Sequence, residues 1–150
     1  MDIAAVTLSF TVYGPPAAQG SKTVARSKAG RSFVRESSNR VKPFRESVAS
    51  AAVAAGASLI EGSVILMVRV IAVRPDSHYT ASHALRKGTP DRPGGHDASK
   101  VLRAVEDALA GICYRNDRQV RVEAIEFNYG AIASVAIVVG PVPVCFCFGV

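Results

Sequence analysis

Between residues 98 and 109 the apolar side chains Ala98, Val101, Leu102, Val105, Ala108 and Leu109 recur at the i, i+3, i+4, i+7 spacing, which places them in one stripe along a helix. Such a stripe must be covered, and the rest of the chain offers strands to cover it. Val6, Leu8, Phe10 and Val12 alternate with Thr7, Ser9, Thr11 and Tyr13, the period-2 mark of a half-buried strand. Residues 63–73 are β-branched and apolar and read as a long central strand that ends at Arg74-Pro75. Residues 120–129 and 131–139 are expected to be two more strands joined through Gly130, and residues 32–35 a short one. Pro43 suits the first turn of a second helix, carried by the Ala-rich run 44–55 and stopped at Gly56. The expected fold is α+β: a mixed sheet of about five strands with two main helices on one face. We expect a single domain over residues 1–150, with a core of about 7–139 and an apolar, proline-containing tail at 140–150.

Between residues 22 and 45 eight Lys or Arg face a single acid, Glu36, and glycines and serines make the first half of this segment an expected mobile loop. Residues 76–96 form a second polar loop. The formal net charge of the whole chain is +6, which suits an anionic partner such as nucleic acid without naming one. No apolar run approaches the roughly 20 residues of a membrane span, and the N-terminal residues lack the pattern of a secretory signal. The three cysteines, Cys113, Cys145 and Cys147, form no spaced framework, so a reducing, cytoplasmic setting is expected. Cys145-x-Cys147 lacks the second ligand pair that zinc needs, and no nucleotide-binding glycine motif is present.

The chemistry-bearing feature lies in "HDASKVLRAVEDALAGICYRNDRQV". A helix of residues 99–110 is about 17 Å long, and an extended stretch from Gly111 to Asp117 reaches about 20 Å. That stretch is long enough to run back and deliver Asp117 beside Asp97. Two converging carboxylates near a basic surface suit Mg²⁺ or Mn²⁺, hard ions that complete their shell with water and phosphate oxygens. The same residues have an ordinary reading: Asp97 is a good helix N-cap, and Asp117 in "RND" is a good turn former. Spacing alone leaves both readings open.

The same stretch resembles the core of RusA-like Holliday junction resolvases, endodeoxyribonucleases common in phages and prophages. "GPPAAQGSK" and "VRESSNRVKPFRESVASAA" are similar to that family's N-terminal half, so the likeness spans roughly residues 7–127. The resemblance implies metal-binding roles for Asp97 and Asp117 and a catalytic or phosphate-binding role for Arg103, and it matches Asp107 to the aspartate of the family's "DAL". It also implies Mg²⁺ or Mn²⁺ as cofactor, branched DNA (four-way junctions above all) as substrate, a homodimer, and a bacterial cytoplasm as setting. Three positions depart from the pattern: Ser99 stands at a metal-binding aspartate, Lys100 at an Asn or Lys position, and Asn116 at the first acid of an acidic pair. Ser99 is the departure that matters, because a neutral hydroxyl is at most a weak ligand. Glu106 lies about 10 Å further along the helix, too far to replace it directly at the same ion. It is instead a candidate for a second metal position or a partner for Arg103, beside the ordinary reading of a solvated helix face.

Candidate DNA contacts are Lys22, Arg26, Lys28 and Arg31 in the basic segment, Lys100 on the helix, and Arg118 next to Asp117. Each would neutralise backbone phosphate or remain an ordinary exposed charge. Phe33 and Phe44 are candidates for stacking on bases as well as for the core, and His96 is a minor candidate beside Asp97. The expected activity is Mg²⁺-dependent resolution of four-way junctions, with a catalytically weak or inactive branched-DNA binder as the alternative because of Ser99.

Overall fold

A computed structural model describes residues 7–20, 22–36, 39–95 and 97–143. The fold is α+β. Strands β1 (Leu8–Tyr13), β4 (Val64–Val73), β5 (Val120–Gly130) and β6 (Ser134–Pro141) form a mixed sheet in the order β1-β6-β4-β5. Strand β4 pairs parallel with β5 and antiparallel with β6. Helices α1 (Val41–Ala54) and α2 (Ala98–Leu109) pack against each other on one face of this sheet. The fifth expected strand is not in the sheet. As β3 (Ser32–Glu36) it pairs with β2 (Lys22–Arg26), so the expected mobile loop is a separate two-stranded hairpin. Backbone pairing across Thr23–Arg35 and Ala25–Phe33 supplies an order that a reading of composition misses.

The stripe of α2 is buried as its spacing requires. Val101, Leu102, Ala104, Val105, Ala108 and Leu109 face the sheet, while α1 contributes Val41, Phe44, Val48 and Ala52. They meet the alternate residues Val64, Leu66, Val68 and Val70 of β4 and Val135, Ile137 and Val139 of β6. Full burial of side chains such as Leu66 and Leu109 contributes about 2 kcal/mol each. Phe44 belongs to this core, whereas Phe33 is 47% exposed on the hairpin.

Strands β5 and β6 do not pair with each other, although only residues 131–133 join them. Strand β4 runs between them, and its continuation leaves at Arg74. The connection presses Gly130 against β4, where a Cβ would come within 2.5 Å of Ile71 Cγ2. Any other residue there would force the Ile71 side chain to move. At the opposite end of the sheet the β4–β5 register shifts once: Val64 lies opposite Val120, but Ile65 lies opposite Val122. Arg121 is therefore an extra residue, and from Val122 onward every side chain of β5 is turned to the other face from the one it would otherwise occupy. The shift puts Glu123 opposite Leu66 on the helix-covered face.

Candidate active site

Asp97 caps α2. Its Oδ1 accepts hydrogen bonds from the Ser99 hydroxyl at 2.7 Å and from the Lys100 backbone N–H at 3.4 Å. The Lys100 ammonium lies 3.6 Å from Oδ2. The Ser99 hydrogen bond, followed by the Lys100 interactions, holds the Asp97 carboxyl below its usual range. The N-cap reading is thus realised, and it leaves Asp97 an exposed, ionised carboxylate with a neutral donor at its side. His96 and the Cys145–Cys147 tail lie outside the described residues.

The segment after α2 is compact, which corrects the extended return expected from chain length. Ile112 and Cys113 both donate backbone hydrogen bonds to the Leu109 carbonyl, and Gly111 donates to Tyr114 O. Gly111 has φ +83°, a conformation that favours glycine over every other residue. Tyr114 is fully buried, and its hydroxyl donates to the Glu106 carbonyl at 2.9 Å. Burial, with the nearby Glu106 charge second, keeps that hydroxyl protonated. Burial likewise raises the Cys113 thiol to about 11, so it is not a nucleophile at neutral pH.

Asp117 then opens a short 3₁₀ turn, Asp117–Gln119, that feeds β5. The residue that fixes this turn is Gln119. Its Oε1 accepts from the backbone N–H of Arg115 at 2.7 Å and of Asn116 at 3.4 Å. Its Nε2 donates to the carbonyls of Ile60 and Gly62, each at 2.9 Å. Asn116 completes the cap by accepting from Arg118 N at 3.1 Å. The site turn is thereby tied to the segment that precedes β4. Gln119→Ala is expected to lower stability by about 2 kcal/mol, since several partly shielded backbone groups lose their partner; urea denaturation monitored by circular dichroism measures it.

Asp117 therefore faces the flank of α2. Its charge acts on Glu106, whose carboxyl also shares a hydrogen bond with Glu123 of β5. Among the described residues, no hydrogen bond or ion pair reaches the Asp117 carboxylate itself. Burial raises Glu106 to about 7, and the hydrogen bond and charge of Glu123, then Asp117, add to the rise, while Arg103 one turn earlier offsets part of it. Because the folded value exceeds the ordinary 4.5, the folded chain holds more protons than the unfolded chain between those values. Stability falls as pH rises from about 4.5 to about 7 and is level above that. In metal-free buffer Glu106→Gln is expected to remove about 1 kcal/mol of that loss, a figure reduced for a side chain half open to solvent. Thermal melts at pH 5 and pH 8 compare the two chains.

The candidate residues thus fall into two groups on one helix. Asp97, Ser99 and Lys100 sit at its start, and Arg103 and Glu106 lie along its flank with Asp117 and Glu123. Among the described residues, no three carboxylate, imidazole or thiol groups form a cluster that could hold a metal ion. Glu123 is the member that sequence reasoning missed. Asp107 is on another flank, where it accepts from Arg45 Nη2 at 2.8 Å and Gln19 Nε2 at 3.3 Å and so ties α2 to α1 and to the chain entering the hairpin.

The basic hairpin is rooted beside the start of α2, because Gln19 N–H donates to the Lys100 carbonyl at 3.1 Å. Arg26 on β2, and Lys28 and Arg31 in its turn, are exposed, as is Arg118 next to Asp117. Lys22 opens β2, and its side chain lies outside the described residues. Among the described residues, no helix is long and apolar enough to cross a membrane.

Residues 13–140 match the family model for endodeoxyribonuclease RusA. No curated protein matches the chain.

Proposed function

We propose, since the chain belongs to the endodeoxyribonuclease RusA family, that it resolves four-way DNA junctions by paired, Mg²⁺- or Mn²⁺-dependent hydrolysis of phosphodiester bonds. The observation that carries this reading is the Asp117 carboxylate, left without a hydrogen-bonding partner against the Glu106–Glu123 pair on the flank of α2. The donors here are all hard oxygens and the carboxylates repel one another, a set whose chemistry fits a hard divalent cation. Mg²⁺ is commonly bound through only one or two carboxylates and keeps several waters, so a cage of three protein ligands is not required. Asp117 and Asp97 would hold it, with Glu106 and Glu123 as flanking carboxylates and the Ser99 hydroxyl as a neutral contact. When bound, such an ion supplies Lewis-acid stabilisation of the phosphoryl charge and lowers the pKa of attacking water.

The side chains do the rest. Arg103 and Lys100 are exposed on α2 and would hold the scissile phosphate by charge-assisted hydrogen bonds that strengthen as its charge grows. Arg26, Lys28 and Arg31, with Lys22 and Arg118, would bind flanking phosphates, giving affinity that is largely independent of sequence and falls with salt. A four-way junction offers two strands to cut symmetrically, so two copies of the chain acting as a homodimer meet the geometry of the substrate.

A second reading rests on Ser99. Its hydroxyl donates into Asp97 instead of adding a negative charge, which weakens the hold on a cation and favours a junction binder with little turnover. A synthetic four-way junction incubated with the protein and Mg²⁺ or Mn²⁺ decides between the two. Symmetric nicks establish the resolvase, binding without nicks establishes the binder, and equal affinity for linear duplex overturns both.

A further inference from the structure

Strands β2 and β3 bond only to each other, outside the order β1-β6-β4-β5. A two-stranded ribbon on its own is marginal in water and gains order from a partner. The turn of this one is nevertheless closed at three points. Ser27 N–H donates to the Arg31 carbonyl and Gly30 N–H to the Ser27 carbonyl, each at 2.9 Å, and Arg31 N–H donates to Ser27 Oγ at 3.1 Å. Residues opposite each other in an antiparallel pair share a face. Phe33, opposite Ala25, is therefore on one face, and Val24 and Arg26, the neighbours of Ala25, are on the other. Phe33 is 47% exposed and Val24 72%, so each face of the ribbon presents an apolar side chain to solvent.

Charge and apolar surface together identify the occupant. Residues 22–35 carry five Lys or Arg and no acid, so the partner is a polyanion. Phosphate contact accounts for Arg26, Lys28 and Arg31, but it gives Val24 and Phe33 nothing apolar to meet. The apolar surfaces of DNA are the faces of its bases, which stacking closes along a linear duplex and which open where strands part at a branch point. Apolar side chains enter interrupted stacks of this kind, and an aromatic ring packs flat on a base. A ribbon with an apolar residue on each face can meet a base on either side. The ribbon is also rooted where such contact is useful, since Gln19 N–H donates to the Lys100 carbonyl at the start of α2. The five residues of β2 and the turn project about 20 Å, or about six base-pair steps, from that root.

We propose that the β2–β3 hairpin inserts between base pairs at a DNA branch point, with Phe33 stacked on an exposed base and Lys28 and Arg31 on the neighbouring phosphates. The insertion rests on the junction reading above and names the part of the junction that the hairpin takes. The probe is a synthetic four-way junction with 2-aminopurine at the branch point, in EDTA so that no strand is cut, beside a linear duplex of the same sequence. Binding of the wild-type chain is expected to raise the fluorescence of the junction, as the probe leaves the base stack, and to leave that of the duplex unchanged. Phe33→Thr keeps a good strand former but removes the ring. It is expected to lower junction affinity by roughly 10-fold or more and to abolish the fluorescence rise, with duplex affinity held within about twofold. Phe33→Tyr is expected to keep both, and Lys28→Ala to lower junction and duplex affinity alike. A wild type that leaves the fluorescence unchanged overturns the proposal. So does a normally melting Phe33→Thr chain that binds both DNAs as the wild type does, or that loses both in equal measure. A wild type that raises the fluorescence and needs Phe33 to do so, yet makes no nicks once Mg²⁺ is added, upholds the insertion and overturns the nuclease reading instead.

Discussion

Asp117→Asn is expected to lower junction cleavage by roughly 10²- to 10³-fold, the worth of several kcal/mol of lost transition-state stabilisation, while leaving junction affinity within about twofold. The asymmetry follows from where the side chain sits. Asp117 is exposed at the opening of the turn, and the turn itself is held by Gln119 and Asn116. The amide is nearly isosteric with the carboxylate and removes a charge without removing a packing contact. In the proposed function, binding would reside in cations elsewhere, on the hairpin and on α2. Replacing a carboxylate near Glu106 also relieves like-charge repulsion, so the Glu106 carboxyl should titrate lower in the variant. Gel-shift and cleavage assays on one junction, with melting curves for both chains, measure the three effects together. Parallel loss of binding and cleavage in a chain that melts normally would assign Asp117 to the DNA surface instead.

Ser99→Asp is expected to raise Mg²⁺ affinity by roughly 10- to 100-fold, the scale on which ligand and near-ligand changes move metal sites. The Ser99 hydroxyl already lies 2.7 Å from Asp97 Oδ1, so the new carboxylate would stand beside an existing one at the start of α2. In the absence of metal the substitution removes the hydrogen bond that most lowers Asp97 and adds a repulsion, so Asp97 should titrate higher. A bound cation reverses that penalty. Calorimetric titration with Mg²⁺, repeated at two pH values, reads both consequences. Unchanged affinity would mean that the ion is held along the flank by Asp117 and its neighbours, away from the helix start.

The parts of this structure that were legible in the sequence are those set by local periodicity. The stripe from Ala98 to Leu109 makes one helix, and its cap residue is the one that its position predicts. The alternation from Leu8 to Tyr13 and the β-branched run from Val64 to Val73 make strands for the same reason. Each signal repeats over several residues and is read by the backbone within one or two turns of chain. The resemblance in "HDASKVLRAVEDALAGICYRNDRQV" likewise survives as family membership over residues 13–140.

What the sequence by itself determined is therefore the identity of the two helices and of the four strands of the main sheet, the buried stripe of α2 and the family. Only the tertiary structure decided which acids meet. The return from α2 is a tight turn clamped by Gln119 to the carbonyls of Ile60 and Gly62, residues nearly sixty positions away that no local pattern connects to it. Glu123 faces α2 because one extra residue, Arg121, shifts the register against β4. A strand repeats every two residues, so a single inserted position exchanges its faces, and that insertion is visible only once the partner strand is in place.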